Sequence, residues 1–212
     1  MNKKRIRKKN DKLSGQEYLL TSAKALSALI DGKLPFTVWN KKYTKRIWIK
    51  LRFPEGYVYE DVRIMYLLLA EAERIVTVDQ ELVLQRIRSG SITRTKTAKN
   101  IMDLFLAKRI LEEYVIQHTP QIFTEGQKKR FQEKNLRNMI NIYSSWLIHP
   151  TTENKKAREE LKKDIFHKRE ELDKHFNSRQ TAVVWLMFNH CPRLIFPSQK
   201  LFNIIMHIFV KK

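Results

Sequence analysis

Only 5 glycines and 6 prolines punctuate 212 residues, and this scarcity of breakers constrains the fold more than any other feature. Tight turns need residues that tolerate positive φ or pre-set a bend, so a chain this poor in them favours long helices. The second half carries the matching periodicity. Ile101, Leu104, Phe105, Leu111 and Val115 mark one amphipathic helix, ended near Thr119-Pro120. Phe131, Leu136, Met139, Ile140, Tyr143 and Leu147 mark another, closed by Pro150. Ala157, Leu161, Ile165, Leu172 and Phe176 mark a third, whose narrow apolar seam leaves its other side wet.

The first half is mixed. Ser14 and Glu17 have capping-box spacing, which predicts a helix with Leu19, Ala23, Leu26 and Ile30 down one face. Asp31-Gly32 should end it, with Gly32 free to turn left-handed and Pro35 confirming the stop. Phe36 to Arg46 mixes basic and aromatic residues, and Arg52 to Gly56 reads as a turn. Tyr57-Val58-Tyr59 reads as short and extended. A helix is predicted from about Asp61 to Glu73, with Val62, Met65, Tyr66, Leu69 and Ala72 on one face. Arg74 to Val78, rich in β-branched residues, predicts a strand, and Glu81 to Arg88 a second. The expected class is α+β, mostly helical. The expected organisation is a basic tail over 1–13, a small α/β region over 14–94 and a helical extension over 95–212.

Composition narrows the function classes. The hydrophobic fraction of 42% is enough for a core, which argues against disorder throughout. One cysteine, Cys191, excludes an internal disulfide and a thiolate-rich zinc site. It reads as a small buried hydrophobe. The six histidines lack metal-ligand spacing. Charged residues fill Met1 to Asn10 with no apolar core after them, so no secretory signal is expected. No stretch reaches the ~20 apolar residues of a spanning helix. Thr181 to Phe188 and Leu201 to Val210 read as core helix or as segments lying on a membrane. These features suit the cytoplasm, with peripheral contact on the inner face of the membrane.

The net charge of +20 admits nucleic acid, an anionic membrane or an anionic substrate such as a nucleotide-sugar. Nucleic acid is the least favoured of these. The positive charge is spread along the whole chain, and no helix-turn-helix or RNP pattern stands out.

Walker loops, GxGxxG, HExxH and GxSxG are all missing from the sequence. One series stands out. Val38-Trp39-Asn40-Lys41 and Tyr43 are followed by Phe53-Pro54-Glu55-Gly56 and then Tyr59-Glu60-Asp61. After a helix and a strand comes Arg86-Ile87-Arg88-Ser89-Gly90-Ser91-Ile92-Thr93. In order and spacing this resembles the second half of family 2 glycosyltransferases of bacterial cell-surface polysaccharide pathways, over about Ser14 to Thr97. Those run WNKLY, FPEGxxYED, a helix, a strand, then YRxRxGSI. The chain departs at Lys42, where leucine is usual, and at Val83, Leu84 and Gln85, where tyrosines are usual.

The resemblance implies the acceptor side of a GT-A fold and inverting transfer of a sugar from a nucleotide-sugar to a saccharide or lipid-linked acceptor. It makes Asp61 the general base. By itself, an acid pair opening a helix complements the dipole and the free amides there. Glu60 would bind a further acceptor hydroxyl. Trp39 would stack on a sugar face, its plainer reading being a buried tryptophan. Asn40 and Lys41 would reach substrate hydroxyls or phosphate. Arg86 and Arg88, two apart on one side of a strand, would hold the nucleotide diphosphate with Ser91 nearby, or else line a solvent-facing strand edge.

The family's nucleotide-binding half, with the Asp-x-Asp motif that holds Mg²⁺ or Mn²⁺, has no counterpart here. Asp11 is the only aspartate before Asp31, and neither sits in that pattern. No metal is therefore expected on this chain, and little or no transfer is expected of it alone. A complementary N-terminal half is the implied partner. The alternative is a non-catalytic basic protein that binds nucleic acid or an anionic membrane.

Overall fold

A computed structural model describes residues 18–78, 83, 97–172 and 176–195. The class is α+β and mostly helical, with a two-stranded antiparallel sheet among the described residues. Strand β1 (Tyr18–Leu20) pairs with β2 (Ile75–Thr77) in the register Tyr18↔Thr77, Leu19↔Val76 and Leu20↔Ile75. The expected strand over 74–78 is therefore present. The second, over 81–88, lies outside the described residues.

Helix α1 (Ser22–Ile30) begins later than the sequence suggested. Thr21, whose Oγ1 accepts from the Lys24 amide at 3.3 Å, is its cap. Ser14 and Glu17 lie outside the described residues, and Leu19 belongs to β1. The shift also changes the buried face. Ala25, Leu26, Leu29 and Ile30 are buried, and Ala23 is exposed. The predicted stop is correct: Asp31 is the C-cap and Gly32 takes φ 77°, which a side chain would resist.

The segment after it holds a short helix, α2 (Ile47–Lys50), that periodicity did not predict. Four residues are too few to show a helical repeat. Ile47 and Trp48 turn toward the core, and Ile49 and Lys50 face out. Tyr57 to Tyr59 is not an extended strand. Tyr59 is left-handed, at φ 63° and ψ 39°, and directly precedes α3 (Glu60–Glu71).

Helix α3 is buried on most of its surface, including Val62, Ile64, Met65, Leu68 and Leu69, because it packs against both α1 and the next helix, α4 (Ala98–Gln117). A one-sided apolar face was expected. The Ser22 hydroxyl donates to the Leu69 carbonyl at 2.8 Å and ties α1 to α3.

Helices α5 (Glu125–Ile148), α6 (Thr152–Glu171) and α7 (Arg179–His190) follow among the described residues, with a 3₁₀ turn at Pro192–Leu194 after them. Capping boxes at Thr124/Gln127 and Thr151/Asn154 fix where α5 and α6 begin. Phe176 falls beyond the end of α6, and Cys191 is exposed where burial was expected. Two apolar cores result. One joins α1 and α3 to Leu111, Val115 and Phe131; the other joins Ile101 and Phe105 to Leu136, Ile140, Leu161, Ile165 and Val184. Helices α4 and α5 serve both. No helix among the described residues is long and apolar enough to cross a membrane.

Candidate functional site

The head of α3 is the most constrained point of the first half. Tyr59 supplies no side-chain cap, and its left-handed backbone costs energy that an ordinary turn would avoid. Two contacts with α4 hold the approach. Asp103 Oδ2 accepts from the Val58 amide at 3.3 Å, and Arg63 lies over the Tyr57 ring at 4.1 Å while Nη2 reaches the Asp103 carbonyl at 3.5 Å. Arg63 is itself 9% exposed. Sequence reading missed both residues. The available signal was an arginine inside the apolar run of α3.

Asp61 is half-buried and Glu60 exposed. Asp61 Oδ1 accepts from the Val62 amide at 2.8 Å, so the carboxylate does serve the open end of the helix. Among the described residues no side chain donates to it. Burial pushes the Asp61 carboxyl above the ordinary carboxylate range, and the Glu60 charge adds to this. The Val62 amide and Lys41 pull the other way without cancelling it. Burial, then the Asp61 charge, also raises the Tyr59 hydroxyl.

Lys41 comes to this point from twenty residues upstream. Its Nζ donates to the Pro35 carbonyl at 2.9 Å, the Thr37 carbonyl at 2.5 Å and Asn40 Oδ1 at 2.8 Å. All three donors are thus engaged inside the loop, which Lys41 gathers around itself. Burial pushes its amine down to about 8, against the pull of Asp61. Asn40 Oδ1 also accepts from the Thr37 hydroxyl at 3.0 Å, and the residue is exposed. Trp39, on the same loop, is 54% exposed, so the buried reading does not hold. Tyr43 closes the loop with a long bond to the Val38 carbonyl at 3.4 Å, and its ring stands edge-on to Trp48.

The fold therefore brings Lys41 into electrostatic reach of Asp61 and holds Trp39 and Asn40 on the loop that Lys41 organises. Arg86, Arg88 and Ser91 lie outside the described residues. Among the described residues, hollows lie elsewhere. One of about 310 Å³ lies between α4, α5 and α6, with Met102, Phe105 and Leu106 on its walls and Glu112 paired to Lys168 at 2.5 Å within it. Another of about 350 Å³ lies beside α1 and Gln127. Asp61 borders neither.

A divalent cation needs several oxygen donors in a regular shell. Glu60 and Asp61 provide two carboxylates with an ammonium beside them, a poor fit to that requirement. Among the described residues no group of three or more His, Cys, Asp or Glu could hold a metal ion. Comparison with family models, curated proteins and solved structures gives no match to this chain.

Proposed function

We propose that this chain supplies the acceptor side of an inverting glycosyltransferase, with Asp61 as the general base. The observation that carries the reading is the half-buried Asp61 carboxyl at the head of α3, raised in proton affinity and within electrostatic reach of Lys41, whose loop also carries Trp39 and Asn40. The FPEG and YED series supports it from the sequence side.

Inverting transfer needs a base on the sugar face opposite the leaving nucleotide. The acceptor hydroxyl oxygen bonds to the anomeric carbon, the bond from that carbon to the nucleotide diphosphate breaks, and the hydroxyl proton passes to Asp61. A carboxylate with raised proton affinity is a stronger base than an exposed one. The helix end fixes its direction, and the Lys41 charge favours its ionised form before the reaction. Trp39 offers an apolar ring face for a pyranose, and Glu60 and Asn40 offer groups for its hydroxyls. Lys41 acts through the shape of the loop.

In this reading the diphosphate and its Mg²⁺ or Mn²⁺ belong to a nucleotide-binding half carrying Asp-x-Asp, on another segment or polypeptide. Arg86, Arg88 and Ser91 would meet the diphosphate from this side. The test is transfer from a radiolabelled nucleotide-hexose by this chain joined to such a half. Asp61→Asn should lower kcat by roughly 10²- to 10⁴-fold with acceptor binding retained. Near-normal turnover in that variant would remove Asp61 from the base role.

A further inference from the structure

Between Gly32 and Pro54 the chain carries Lys33, Lys41, Lys42, Lys45, Arg46, Lys50 and Arg52, and no acidic residue. Lys41 is turned into its loop, and two others are neutralised. Arg46 pairs with Glu73 at 3.2 Å and Lys50 with Glu71 at 2.8 Å, which ties α2 to the far end of α3. Lys42, Lys45 and Arg52 are exposed and have no acidic partner among the described residues.

Large apolar side chains stand among these cations. Ile49 is 73% exposed and Phe53 42% exposed. Neither exposure is forced by a lack of core nearby. In the same helix Trp48 turns inward, against Tyr43 on one side and stacked with Phe53 on the other, with ring centroids 5.3 Å apart. The segment thus anchors one side of α2 and leaves its most apolar outward residue in solvent, flanked by unpaired positive charge.

We propose that this face of α2 and its flanking turns rests on an anionic bilayer surface. Ile49 and Phe53 enter the boundary between headgroups and acyl chains, while Lys42, Lys45 and Arg52 meet lipid phosphates. Interfacial binding needs both an apolar wedge and positive charge around it, and one short exposed segment carries both here. Single-stranded nucleic acid fits less well. It stacks on open aromatic faces, whereas on α2 itself the ring of Trp48 is covered by Tyr43 and Phe53, and the outermost residue, Ile49, is aliphatic. A second copy fits less well still, because two such faces would repel. The inference rests on Ile49, Phe53 and the cations, not on Asp61.

The test is co-sedimentation of the full chain with vesicles of phosphatidylcholine alone or with about a third phosphatidylglycerol, enough for a strongly negative surface. The wild type should bind the anionic vesicles and not the neutral ones, with binding lost as salt rises. Ile49→Asn with Phe53→Ser keeps the charge and should weaken partition roughly tenfold. Lys42→Gln with Lys45→Gln and Arg52→Gln should weaken it at least as much, by about tenfold or more. Ile49→Asn alone, at a site too exposed to disturb the fold, should move in the same direction. Wild-type binding by the Ile49/Phe53 variant would overturn the proposal, because charge elsewhere would then carry the interaction. Equal binding to neutral vesicles would also overturn it. So would binding to a polyuridine oligonucleotide, lost in the same variants, with no binding to vesicles.

Discussion

Lys41 and Asp61 are each disfavoured in their charged forms by burial, and each partly relieves the other. This coupling has measurable signs. The folded Lys41 amine sits at about 8 against an ordinary 10.5. Between those values the unfolded chain holds a proton that the folded chain has released, so this group makes stability rise with pH from about 8 to about 10.5. A ¹⁵N-resolved titration should show Lys41 Nζ titrating near 8, and Asp61→Asn should move that midpoint lower still. An unchanged midpoint would mean the two charges do not meet. For Asp61 the sign is opposite. Its raised proton affinity means stability falls as pH climbs from the ordinary carboxylate value through the folded one, and the full cost is present at neutral pH. Asp61→Asn should therefore raise the melting temperature at pH 7 by a few degrees at most, and the gain should shrink toward pH 3. A site kept for function at the expense of stability behaves this way. A drop in melting temperature would make Asp61 a helix-start residue alone.

At the scale of elements, the start of α7 shows what the sequence conceals. Its cap residue, Ser178, makes no side-chain bond to the helix. Glu133 of α5, 1% exposed, does the capping instead: it accepts from the Asn177 amide at 2.5 Å, the Ser178 amide at 3.1 Å and Thr181 Oγ1 at 2.9 Å. Arg137 sits 3.9 Å from the same carboxylate and donates to the Thr181 hydroxyl. Glu133→Ala should cost about 3 kcal/mol, since it strands buried donors and a cation. Hydrogen exchange should show α7 opening first, and Glu133→Gln should recover part of the loss. Local sequence signals locate α4 and α5 within a few residues, because long amphipathic repeats and proline stops are read directly. They misplaced the start of α1, where Thr21 and not Ser14 caps, because either residue suits a helix start and only the pairing of Leu19 with Val76 decides. They also placed Glu60 and Asp61 correctly at a helix head, yet missed that Lys41 spends its donors on Pro35, Thr37 and Asn40. Loop hydrogen bonds leave no periodic trace.

For the whole molecule, α4 and α5 join two cores that share no other helix among the described residues. Leu26 and Ile165 belong to different cores, and both are at most 1% exposed. Leu26→Ala and Ile165→Ala should each cost about 2–5 kcal/mol, and calorimetry should still show one transition in either variant. Two resolved transitions would mean that the shared helices do not couple the cores. The same coupling matters at the proposed site, because Asp103 on α4 holds Val58 and through it the turn that aims Asp61. Damage to the helical half should thus reach the head of α3. The most direct test of the acceptor reading is an NMR titration of the amide and indole resonances with neutral disaccharides such as lactose, maltose and cellobiose. Saturable shifts are predicted at Trp39, Asn40, Glu60 and Asp61 for at least one sugar, abolished by Trp39→Ala. Silence at those residues with every sugar, or shifts confined to the hollow between α4, α5 and α6, would contradict it.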